Sequence, residues 1–201
     1  MINTVNNHNN TRENISKKIF NLRAEKLVRE ASDNFIYCRD YETALAQINE
    51  VLSLEPDHIK ALILKGDILF CIDKDNEALE YFDMAINADP FCAEAYGSKA
   101  GTLDVLGKQI EALNFCELAF ENITLKDRHL LPSLYDQKIA ILIRLKRFDE
   151  AREALKKCAK SLSEEDGCHL ISCYQNIIDA SCKEKKRKRE LVAKISMKLV
   201  F

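Results

Sequence analysis

The sequence predicts an all-α fold of stacked antiparallel helix hairpins, and three observations carry that expectation. Glycine and proline are scarce, five and three in 201 residues, whereas sandwiches and barrels need a turn about every ten residues. Apolar residues recur at three- and four-residue steps through segments of helical length; in "YETALAQINEVLSLEP" the stripe is Ala44, Leu45, Ile48, Val51 and Leu52. The third observation is repetition. Ala44, Ala78 and Ala112 follow one another at intervals of 34 residues, and Ala151 comes 39 further on.

The surroundings of these alanines repeat as well. Four residues later stand Ile48, Phe82, Cys116 and Leu155, and three beyond those Val51, Ala85, Ala119 and Cys158. Sixteen residues earlier stand Val28, Leu62, Tyr96 and Tyr135, and nine earlier Phe35, Leu69, Leu103 and Leu142. A small residue lies between them at Ser32, Gly66 and Ala100, where it lets the partner helix approach, but the fourth copy has Ile139 and predicts a wider gap. A lone hairpin of this length is marginal in water, so stacking of neighbours supplies the core.

The pattern resembles the tetratricopeptide repeat, W-x2-L-G-x2-Y, then A-x3-F, then P. The second copy matches best, through Leu62, Gly66, Leu69, Ala78, Phe82 and Pro90. The resemblance covers about residues 25–163 and implies a right-handed superhelical solenoid of antiparallel helix pairs.

In chain order, residues 1–10 are asparagine-rich and predict a disordered leader. Residues 11–24 predict a helix, or an extension of the first repeat helix, with Ile15, Ile19 and Leu22 on one face. Four repeats are expected over 25–58, 59–92, 93–131 and 132–163, with Pro56 and Pro90 ending the second helix of the first two. Five extra residues within "KDRHLLPS" lengthen the connection to the fourth. Residues 164–201 predict a capping helix, through Leu170, Ile171, Tyr174, Ile177 and Ile178, followed by a basic C-terminal helix.

Several classes of function are argued against. Net charge is −2, and no stretch reaches the roughly 18 apolar residues of a membrane span. The N-terminus lacks the apolar run of a secretory signal, which with the dispersed cysteines predicts a soluble cytoplasmic protein. Cys168, His169, Cys173 and Cys182 form the one cysteine cluster, and its gaps match no common zinc pattern. His8, His58, His129 and His169 have no motif partner, and there is neither a GxGxxG nor a Walker loop. We therefore expect no enzyme, cofactor or metal.

What remains is surface. The resemblance implies that the first helix of each pair lines a concave face holding a protein or peptide partner. Helical periodicity names the lining: Arg29, Asp33, Ile36 and Tyr37; Ile63, Asp67 and Phe70; Val105; Ile143 and Arg144. Gly97 and Gly101 predict a shallow bay for a ligand side chain. Some members of the family clamp the acidic C-terminal tail of chaperones, but the corresponding positions here are Arg29, Asp33, Leu64, Glu94 and Ser98, and Asp33 and Glu94 would repel it. Two alternatives rank lower. One is assembly or homo-oligomerisation through a C-terminal seam of Leu191, Val192, Ile195 and Leu199. The other is a nuclear or nucleic-acid role for the basic run 183–190, which no aromatic residues interleave.

Overall fold

The computed structural model describes residues 21–161, 171–181, 183, 186 and 187, and among these there is no strand. The asparagine-rich leader, residues 11–20, most of the basic run and the whole C-terminal seam lie outside the described residues. Contacts divide the chain into two compact units, Met1–Pro90 and Phe91–Phe201.

In the first unit α1 (21–33) leads to α2 (Tyr41–Leu54), then α3 (Ile59–Cys71) and α4 (Asp75–Ala88). Residues 21–24 run into 25–33 without a break. The second unit holds α5 (Ala93–Val105), α6 (Gln109–Glu121), α7 (Leu131–Arg144), α8 (Phe148–Ser161) and a further helical stretch, α9 (171–181). Within the units, α3 packs on α2 and α4, α5 on α6, and α7 on both α6 and α8.

The repeating residues of the sequence are the core of these hairpins. Ala44, Ala78, Ala112 and Ala151 are fully buried, and so are Ile48, Phe82 and Cys116, with Leu155 nearly so. Gly66, Ala100 and Ile139 are buried in the small slot of their first helices. A Cβ added at Gly66 would lie 2.8 Å from two ring carbons of Phe82 and closer still to a third. The backbones of α7 and α8, with Ile139 in the slot, run close over less of their length than those of α3 and α4.

The turn within each hairpin has one construction. Arg39, Asp73, Gly107 and Lys146, each five residues before the repeat alanine, take left-handed backbone with φ of 52°, 59°, 76° and 58°. In three of them the next amide reaches back five residues to close the turn: Lys74 to Leu69 O, Lys108 to Leu103 O and Arg147 to Leu142 O, all at 2.9 Å. The first hairpin differs. Its amide at Asp40 reaches back six, to Asn34 O at 3.0 Å, because Asn34–Cys38 form a π-helical turn holding one extra residue. The register of α1 shifts accordingly. Ala31, fully buried, takes the small position expected of Ser32, which is only half-buried.

The remaining boundaries follow from local chemistry. The Asp40 carboxylate accepts the Thr43 amide at the start of α2, at 3.1 Å. His58 caps α3 by accepting the Ala61 amide at its Nδ1, 3.3 Å away. Pro56 and Pro90 stand two residues past the ends of α2 and α4. The long connection before α7 is held by Asp127, which accepts the Thr124 amide at 3.2 Å and the Thr124 hydroxyl, and by a 3-10 turn at Arg128–Leu130.

Candidate functional site

The first helices of the hairpins carry the expected lining residues, and the structure sorts them. In the first unit Arg29 and Asp33 are exposed on α1. Ile36 and Tyr37, 58% and 79% exposed, project from the π-helical turn, where the extra residue interrupts the stripe that buries the rest of α1. On α3, Asp67 and Phe70 are half-buried. Ile63 is a correction: at 3% exposure it belongs to the interior, since α3 is buried around most of its circumference. Leu64, at the expected clamp position, is buried too.

In the second unit Val105 is exposed at the end of α5, and Ile143 is half-buried on α7. Arg144 on α7 forms an ion pair with Asp104 on α5, whose other carboxylate oxygen, Oδ1, is buried without a hydrogen-bond partner. Gly97 lines the shallow bay expected of it, and Gly101 does not. Positions for their missing Cβ atoms lie 3.0 Å from Leu134 Cδ2 and 3.2 Å from Gln137 Nε2. The glycines thus also admit α7 side chains, and the bay is narrowed to a depression lined by Gly97 with Glu94, Ser98, Ser133 and Gln137.

Sequence reasoning missed the polar ties of α9. The Tyr174 hydroxyl donates to Asp136 Oδ1 on α7 at 2.7 Å, and Arg152 on α8 pairs with Asp179 at 3.3 Å. Partial burial, then the bond to the Asp136 carboxylate, pushes the Tyr174 phenol well above its ordinary range. Tyr174 was visible in the sequence only as part of an apolar stripe. Among the described residues no group of three or more His, Cys, Asp or Glu could hold a metal ion, and no helix is long and apolar enough to cross a membrane. Cys168, His169 and Cys182 lie outside the described residues.

Hairpins that bury one another's repeated positions define a helical-repeat protein. The family model of the tetratricopeptide repeat matches residues 140–161, the end of α7 and all of α8. A curated relative, the DnaJ homolog subfamily C member 7 homolog of Schizosaccharomyces pombe, is 26% identical over 137 residues, 58% of this chain. The match spans about a quarter of that relative's length, 27%. A thermophilic tetratricopeptide repeat protein of Thermus thermophilus superposes with a TM-score of 0.62 at 16% identity, over 89% of this chain and 100% of that one. The first such domain of Spaghetti (RPAP3), bound to an HSP90 peptide, gives 0.53 at 16% identity, over 62% of this chain and 94% of that one. At these identities the likeness is one of fold. Tetratricopeptide repeat proteins in general are non-enzymatic scaffolds for protein–protein interaction.

Proposed function

We propose that the protein is a non-enzymatic adaptor that holds a peptide segment of another protein against the exposed faces of its first helices. The observation that carries this reading is the exposure of Ile36 and Tyr37 on a π-helical turn, with the charges of Arg29 and Asp33 exposed on the helix before it. Large apolar groups held in water at a backbone irregularity suit contact with a partner, and aromatic anchors supply most of the energy of such contacts. A reducing compartment such as the cytoplasm suits Cys116, which is packed as a thiol in the core.

An acidic chaperone tail is a poor fit. Of the clamp positions, Leu64 is buried and Asp33 and Glu94 are exposed acids. A pentapeptide ending in a free carboxylate should not bind at micromolar concentration; micromolar binding would contradict this specificity.

The test is photocrosslinking in the native cell from an unnatural residue placed beside Tyr37, using wild-type protein and a Tyr37→Ala, Phe70→Ala double variant. Capture of a defined partner segment should disappear in the double variant while its helical circular dichroism persists. Capture that survives both changes places the contact elsewhere.

A further inference from the structure

One register position of the first helices reads Glu25, Lys60, Glu94 and Ser133, each six residues before the slot residues Ala31, Gly66, Ala100 and Ile139. In the first unit the two neighbours at this position neutralise each other: Lys60 Nζ on α3 pairs with Glu25 Oε2 on α1 at 3.4 Å. The second unit keeps the acid and drops the lysine, so that Glu94 on α5 shares a bay with Ser133 on α7. Glu94 is exposed, and its carboxylate forms no ion pair or hydrogen bond among the described residues.

That bay has a volume of about 140 Å³, and Gly97, Leu130 and Leu134 are apolar parts of its lining. Its polar lining is Glu94, Ser98, Ser133 and Gln137, and no cationic side chain among the described residues joins them. The Gln137 amide turns its nitrogen to Gly101, 3.2 Å from where a Cβ would stand, and its Oε1 is buried with no hydrogen-bond partner. A buried acceptor without a donor is costly. The bay thus combines an unpaired carboxylate, an unpaired amide oxygen and two hydroxyls with an apolar wall. The first unit shows what completes such a position: the ammonium group of a lysine.

We propose that this bay takes one lysine side chain of the peptide held on the first-helix faces. The ammonium stands beside Glu94 as Lys60 stands beside Glu25, and its remaining protons go to Gln137 Oε1 and the Ser133 hydroxyl. The methylene stem lies along Leu130 and Leu134. The same acid that repels an acidic tail here selects a basic residue. The inference rests on the adaptor reading, but it uses α5 and α7 alone and none of the residues around Tyr37, so the two fail separately.

An NMR titration of the full, isotope-labelled chain tests it. The probe is lysine capped as its N-acetyl methylamide; the controls are norleucine, which has the same stem without the ammonium, and glutamate, both capped alike. At about millimolar concentration the lysine probe should shift the Gln137 side-chain amide and the backbone amides of Gly97 and Ser98 saturably, and the controls should not. Ser133→Lys places in the bay the ammonium that Lys60 supplies in the first unit, and should abolish these shifts while the helical signal persists. Glu94→Gln should weaken binding by up to about fivefold, the span of an exposed ion pair. Gln137→Met, which keeps the volume and removes the acceptor, should weaken it about two- to tenfold. Equal shifts with norleucine or glutamate, no saturable shift with lysine, or unaltered binding by folded Ser133→Lys and Glu94→Gln proteins overturns the proposal. None of these outcomes touches capture beside Tyr37, which distinguishes a failure of this site from a failure of the adaptor reading.

Discussion

In the α3/α4 hairpin the small slot holds Gly66, and the ring of Phe82 occupies the space a side chain there would need. In the α7/α8 hairpin the slot holds Ile139 and the repeat position of Phe82 holds Leu155, both buried. The first arrangement concentrates the volume on one helix and lets the backbones close; the second divides it between two medium side chains, and the helices run close over less of their length. What the repeat preserves is a filled interface, and the distribution of volume across it sets how closely the pair nests.

Exchanging the two solutions gives the largest expected effect. Gly66→Ile against a retained Phe82 puts two large groups in one space and should destabilise the protein by about 3 kcal/mol or more, read as a fall in the urea midpoint. Adding Phe82→Leu should restore much of that loss, because the pair then matches the α7/α8 distribution. A double variant no more stable than Gly66→Ile alone would show that backbone approach, and not filled volume, is what α3/α4 requires. In the reverse direction Ile139→Ala should cost about 2–3 kcal/mol, at the lower end for a buried isoleucine if α7 and α8 can close onto the vacated space.

Much of this was legible before any coordinates. The alanine register places Ala44, Ala78, Ala112 and Ala151 in the core, because side-chain volume at a helix interface is a local property of the sequence. The π-helical turn was not legible. One extra residue between the α1 core and Asp40 leaves the period of 34 between Ala44 and Ala78 untouched, so Ser32 looked equivalent to Gly66 although Ala31 takes the slot. Ile63 was misread for a different reason. A helix buried on several sides loses the polar stripe by which periodicity separates inside from outside. The two glycines announce a shallow bay, but only the placement of α7 reveals Leu134 and Gln137 narrowing it.

The hairpin turns sharpen the comparison at a smaller scale, since one left-handed position is filled by four different residues. Gly107→Ala should destabilise the second unit by about 1–2 kcal/mol, the cost of placing a Cβ in that conformation. Lys146→Gly should do the opposite, by about 0.5 kcal/mol, because relief of the same strain is partly offset by the greater freedom of glycine in the unfolded chain. Thermal melts of the two variants should therefore move in opposite directions. Shifts of the same sign would mean that the side chain of Lys146 does more than tolerate its backbone.

The smallest effect concerns the connections between hairpins. Pro56 stiffens the one between α2 and α3, whereas the longer one before α7 relies on an ionised side chain. The hydrogen bonds from Thr124, the hydroxyl's first, hold the Asp127 carboxyl below its ordinary value. A depressed folded value means that the ordering is fully present above the unfolded value and is lost as pH falls through the folded one. The group is exposed, so solvent screens the contribution to global stability and the effect should be local. The amide resonance of Thr124 should shift with a midpoint below that of an ordinary aspartate, and Asp127→Asn should remove the titration while leaving residues around Pro56 unaffected. A midpoint at the ordinary value would mean that the connection is ordered by the 3-10 turn at Arg128–Leu130 alone.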